Sequence, residues 1–139
     1  MISYRIIDRD EFLEGLFHGS VWDNFFVVRA EISSYVRAEI TPAAPCKWGR
    51  LKKDLQGFLE PEENELKFQI ELRPDWDLKE NALFQGVEQV FFHLRYAGGE
   101  LHAVTGIAYE TFVPGRTAER EWDRLAGLFL KKNRIAFEG

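Results

Sequence analysis

The sequence predicts an α+β fold: a mostly antiparallel sheet of about six strands built from hairpins, with about four helices packed on one face. Two observations carry this. Apolar and polar residues alternate over residues 24–40, 66–72 and 89–109, the period of half-buried strands, and two of these runs break in the middle at turn signals. Between and around them, residues 12–17, 48–59 and 118–129 repeat their apolar positions at helical spacing.

Residues 4–7 read as a short strand running into a helix. Asp8 is placed as N-cap, Glu11 three residues later completes a capping box, and Ile7 is placed to staple against Phe12. Phe12, Leu13, Leu16 and Phe17 form the apolar face, and Gly19 is expected to end the helix in the left-handed conformation. The next segment reads as a hairpin, with Phe26, Val28, Ala30 and Ile32 on one face and Val36, Ala38 and Ile40 following. A two-residue loop at Ser33-Ser34 would put the two apolar sets on opposite faces, so parity selects a three-residue loop. That loop pairs Ile32 with Val36 and Ala30 with Ala38, and sets Arg29 opposite Glu39 and Glu31 opposite Arg37.

Pro42 and Pro45 mark a loop. Trp48, Leu51, Leu55, Phe58 and Leu59 then recur at helical spacing until Glu60-Pro61 stops the pattern. Leu66, Phe68, Ile70 and Leu72 alternate with charged and polar residues in a strand closed by Pro74. Asp77 and Glu80 suggest a capping box for a short helix through Leu78, Ala82 and Leu83, ending near Gly86. Two strands then flank Gly98-Gly99, whose glycines supply the positive φ of a primed hairpin turn. The last helix starts near Thr117 as cap and turns Ala118, Trp122, Leu125, Ala126 and Phe129 inward, with Lys131 and Lys132 complementing the dipole of its final turn. Ile135 and Phe137 are expected to dock the tail.

At 139 residues the chain fits a single domain, residues 1–139, with no linker, repeat or low-complexity segment. Its 45% hydrophobic and 29% charged residues exclude a disordered or fibrous chain. The net charge of -5 argues against a nucleic-acid or anionic-membrane partner. The lone Cys46 forms no internal disulfide, which makes the cytoplasm the expected location. Arg5, Asp8, Arg9, Asp10 and Glu11 interrupt the first twenty residues, so no secretory apolar core is expected there, and no apolar run is long enough to span a membrane.

Across a two-residue turn at the glycines, Arg95 falls opposite His102 and His93 opposite Val104. His93, Arg95, Glu100 and His102 then share the face opposite the core, as candidate ligand-binding residues: two imidazoles and a carboxylate suggest an incomplete metal site, and Arg95 a place for a phosphate or carboxylate. A solvated outer face accounts for the same residues. Lys47, Arg50, Lys52 and Lys53, with Trp48 among them, form a candidate nucleic-acid patch through charge and stacking, against the alternative of a solvated helix face whose tryptophan is core. Trp22-Asp23-Asn24 reads as a structural turn whose tryptophan covers a core edge, and His18 as a charge near a helix C-terminus. The phosphate-loop, dinucleotide, zinc-protease, nucleophile-elbow and paired-cysteine signatures are all missing.

The order of elements, together with Trp22-Asp23-Asn24-Phe25, Arg95-Tyr96-Ala97-Gly98-Gly99, Thr105-Gly106 and Trp122-Asp123, resembles a family of small bacterial proteins of unknown function. That resemblance implies a bacterial cytoplasmic domain and assigns no catalytic residue. From the residues, the favoured function is a non-enzymatic binding or assembly module without cofactor, partnered by a second copy of itself or by another protein. Phe25, Val27, Phe91 and Val104 are expected on the outer sheet face, where a dimer would cover them. Two alternatives stand beside it: a small metal- or phosphate-dependent hydrolase using His93, Arg95, Glu100 and His102, and a nucleic-acid accessory protein using the basic run.

Overall fold

The computed structural model describes residues 1–34, 36–59 and 66–139, with residues 57–59 described by backbone alone. Along the chain the elements are β1 (Ser3–Ile6), α1 (Arg9–Phe17), β2 (Phe26–Ser33), β3 (Arg37–Ile40), α2 (Trp48–Leu59), β4 (Lys67–Arg73), β5 (Val87–Ala97), β6 (Glu100–Tyr109), α3 (Thr117–Lys132) and β7 (Phe137–Glu138). The strands form one sheet in the order β3-β2-β4-β5-β6-β1-β7, antiparallel at each pairing. The fold is therefore α+β and antiparallel, with seven strands and, among the described residues, three α-helices rather than about four. No helix of the described residues is long and apolar enough to cross a membrane.

The missing fourth helix is the one expected after Asp77. Two 3-10 turns stand there, Leu78–Glu80 and Ala82–Phe84. Asp77 accepts from the Lys79 N–H at 3.1 Å and Asn81 accepts from the Leu83 N–H at 2.9 Å, so a second cap follows four residues after the first and restarts the chain before an α-turn can propagate. Leu83 is exposed, which removes the packing that would hold a longer helix. The segment around Glu60-Pro61 lies outside the described residues.

At α1, Asp8 caps as expected, its carboxylate accepting from the Glu11 N–H at 3.1 Å. Ile7 is exposed rather than stapled. The helix ends without a left-handed Gly19: the N–H groups of His18 and Gly19 both donate to the Glu14 carbonyl. Glycine is needed at 19 for a close approach, since a Cβ there would sit 3.0 Å from the backbone of Gly15. At the other end of the chain α3 begins with Thr117 as its first helical residue, and its N-cap, Arg116, makes no side-chain cap bond.

The β2–β3 hairpin keeps the odd loop that parity demanded, but the loop lies one residue further along than expected, which moves each pairing partner by two. Ala30 pairs with Ile40, Ile32 with Ala38 and Ser33 with Arg37. Glu31 now faces Glu39, a repulsion that Arg37 relieves by bridging both at 2.9 and 2.6 Å, while Arg29 turns to Glu71 on β4 at 3.0 Å. A bulge between Val27 and Arg29 also inverts the facing of the first half of β2. Phe25 and Val27 are consequently core residues, and Phe26 and Val28 face out, which overturns the outer-face assignment of the first pair. Of the four residues expected on a dimer face, Phe91 and Val104 stay on the outer face, both half-buried.

The three helices cover the inner face, where Trp22, Trp48 and Trp122 are each at most 1% exposed. Trp22 is central: the rings of Phe12, Phe25, Phe92 and Phe129 surround it at centroid distances of 4.9 to 5.6 Å. The tail docks, with Phe137 paired to Ile6 and its ring edge-on to Tyr4 at 4.7 Å.

Candidate functional site

The β5–β6 hairpin builds the site. Gly98 and Gly99, at φ 59° and 78°, make the two-residue turn that places Ala97 against Glu100. Register then follows as expected, Arg95 opposite His102 and His93 opposite Val104. The four candidates do share the outer face, yet the structure divides them into two pairs. His102 lies toward β1, its Nε2 3.5 Å from Glu100 and its Nδ1 3.3 Å from the Ser3 hydroxyl. His93 and Arg95 line a cleft of about 450 Å³ that opens where β1 stops covering β6.

The floor of that cleft is apolar, formed by Phe91, Val104, Ile107 and the edge of Trp122. Gly106 makes it possible, because a Cβ there would fall 2.3 Å from the Phe91 ring. The indole N–H of Trp122 donates to the Phe91 carbonyl at 3.3 Å and ties α3 to the same strand. On the rim, Glu71 of β4 stands beside His93, with 3.1 Å between its Oε1 and Nδ1, and is held from the other side by Arg29. A carboxylate oxygen accepts, so the hydrogen bond runs from Nδ1–H to Oε1, and among the described residues Nε2 has no partner. Arg95 is exposed and has no ion-pair partner among the described residues.

The far wall is an anionic cluster whose charges are already answered. The Thr105 hydroxyl donates to Asp123 and accepts from the Ile2 N–H at 2.8 Å. Tyr4 donates to the Asp123 carbonyl at 3.0 Å, and burial, with the Asp123 carboxylate adding, pushes its hydroxyl pKa up. Glu119 meets the guanidinium of Arg116 and the amino group of Met1, which together hold its carboxyl at about 2, far below the usual 4.5. A carboxylate depressed in the folded state contributes stability that is complete above its ordinary value and is lost as pH falls from about 4.5 toward 2. Thermal unfolding in that interval should therefore show Glu119→Gln losing less of its midpoint than the parent; parallel curves would show that the pairing contributes nothing.

Thr105-Gly106 and Trp122-Asp123, separate in sequence, thus meet at this site. Among the described residues no group of three His, Cys, Asp or Glu side chains is placed to hold a metal ion. The basic run is dispersed. Trp48 is buried and its indole donates to the Leu16 carbonyl at 2.7 Å, so it offers no stacking surface. Lys52 is buried too, bonded to Asp23 and the Gly19 carbonyl, and Lys47 reaches toward Asp75 at 3.5 Å. Arg50 and Lys53 alone of the five are exposed. Glu71, which completes the cleft, was not among the candidates: its place beside His93 depends on β4 pairing with β5, and no local pattern states that.

An antiparallel α+β sheet with helices on one face and a polar-rimmed apolar cleft at its uncovered edge defines the class of protein. Residues 76–138, which carry β5, β6, α3 and β7 and hence most of the cleft, match the model described as Family of unknown function (DUF5721). No curated protein and no solved structure matches the chain.

Proposed function

We propose that the protein is a non-enzymatic binding module of the bacterial cytoplasm, and that the cleft beside β5 and β6 holds a small ligand with an apolar body and one anionic group. The observation that carries this is Arg95, uncommitted among the described residues, standing with His93 over an apolar floor whose carboxylates are each answered by a cation or hydroxyl. The ligand body lies on Phe91, Val104 and Ile107, and its carboxylate or phosphate meets the Arg95 fork. The lone cysteine supports a cytoplasmic setting. Self-association through Phe91 and Val104, half-buried on the outer face, would cover the same floor and is the alternative occupant; light scattering that shows a strict monomer at high micromolar concentration removes that alternative and leaves the ligand.

Calorimetric titration with aryl carboxylates, aryl phosphates and matched neutral alcohols tests the site. Arg95→Ala should weaken the anionic ligands about tenfold, the worth of one charge-assisted hydrogen bond, and His102→Ala, outside the cleft, should leave them unchanged. Equal affinity in Arg95→Ala and the parent would sink the proposal. A second reading, a small hydrolase, draws on the Glu71 to His93 hydrogen bond, which orients an imidazole as a general base requires. It predicts hydrolysis of an aryl ester that His93→Gln abolishes and His102→Gln does not.

A further inference from the structure

A second cavity, of about 240 Å³, lies on the inner side of the fold between α1 and the segment that follows α3. We propose that it is a binding site for a free amino acid with an apolar side chain. It is separate from the cleft beside Phe91 and shares no residue with it.

Its walls are Phe12, Val21, Trp22 and Ile135, an apolar surface of aromatic and branched residues, and its volume suits a ligand the size of an amino acid better than a nucleotide or other extended molecule. The mouth carries both signs of charge. Asp8, Glu11 and Glu14 stand on the α1 side and Arg134 on the other, yet no ion pair closes across the opening among the described residues. An ammonium placed toward Glu11 and Glu14 and a carboxylate placed toward Arg134, with the side chain against the half-buried Val21 and Ile135 above the covered edges of Phe12 and Trp22, satisfies both lips at once.

Two departures from local preference meet at this cavity. Arg134 is the one described residue other than glycine with positive φ, 58°. It occupies the left-handed position of a Schellman motif, with the Ile135 N–H donating to Leu130 and the Arg134 N–H to Lys131, where glycine is the favoured residue. Gly15 is the reverse case: it sits inside α1 at negative φ, and a Cβ there would meet nothing within 4 Å. Alanine would fit and would favour the helix. Both positions line the cavity, so the arginine keeps a cation at its mouth and the glycine keeps its space open.

The test is calorimetric titration, up to about 10 mM ligand, with L-phenylalanine, L-leucine, phenethylamine and 3-phenylpropionate. Phenylalanine or leucine should bind, with each singly charged analogue about tenfold weaker. Arg134→Gly should raise the thermal midpoint by removing the left-handed strain while weakening the amino acid about tenfold, a pairing of effects that a purely structural arginine does not produce. Gly15→Leu should fill the cavity and abolish binding, and Gly15→Ala, should the larger variant fail to fold, should weaken it. The proposal is overturned if neither amino acid binds, if phenethylamine or phenylpropionate binds as tightly as phenylalanine, or if Arg134→Gly leaves the affinity unchanged.

Discussion

Trp22→Ala should lower the stability of the protein by about 4 kcal/mol and its thermal midpoint by roughly 10–15 °C, the upper range for truncating a buried aromatic. The indole is 1% exposed and contacts four other aromatic rings drawn from α1, the segment before β2, β5 and α3. Removing it leaves a void whose walls belong to four separately anchored elements, so they cannot collapse together to fill it. Trp76 serves as the comparison. It is 43% exposed and touches Trp122 edge-on at 5.6 Å, and its replacement by alanine should reduce stability by no more than about 1 kcal/mol. Urea unfolding of the two variants beside the parent decides the matter: a Trp22→Ala loss as small as that of Trp76→Ala would mean that the cluster does not hold the fold together.

That central role was only half legible. Trp22-Asp23-Asn24 reads as a turn with a tryptophan over a core edge, because the motif shows local chemistry and nothing of what packs above it. Its position in the middle of the core depends on β5 and α3, which lie about seventy and a hundred residues further along the chain. Where one local interaction settles the structure, sequence sufficed. Asp8 capped Glu11, the paired glycines made their turn, and the register that set His93 opposite Val104 followed from that turn alone. Parity fixed the odd loop of the first hairpin, but a shift of two residues conserves parity and every apolar facing, so alternation has no means of excluding it. The bulge after Val27 escaped for a related reason: runs such as Phe25 to Val28 are apolar on both faces, and such a run gives no signal of where its facing inverts. Of the cleft, the sequence disclosed the hairpin half, His93 and Arg95. Glu71, Thr105 and Asp123 arrive through strand order and helix docking.

The buried ion pair between Lys52 and Asp23 should show a strongly asymmetric response to losing either partner. Lys52 projects from α2 into the loop after α1, where its ammonium contacts the Gly19 carbonyl and one oxygen of Asp23. Its side chain is 8% exposed and that of Asp23 is 32% exposed. Asp23→Ala therefore strands an ammonium that water barely reaches, whereas Lys52→Met strands a carboxylate that water can still hydrate and leaves an apolar stem in the same groove. The expected losses are about 4 kcal/mol for Asp23→Ala, within the range for breaking one side of a buried pair, and about 2 kcal/mol for Lys52→Met, below that range because the stranded carboxylate stays partly hydrated. The double variant leaves neither charge unpaired and should lose less than the sum of the two by at least about 1 kcal/mol. A double-mutant cycle by urea unfolding measures this directly. Additive losses would show that the two groups do not depend on each other, and a larger loss for Lys52→Met than for Asp23→Ala would show that burial of the ammonium is not what the carboxylate offsets.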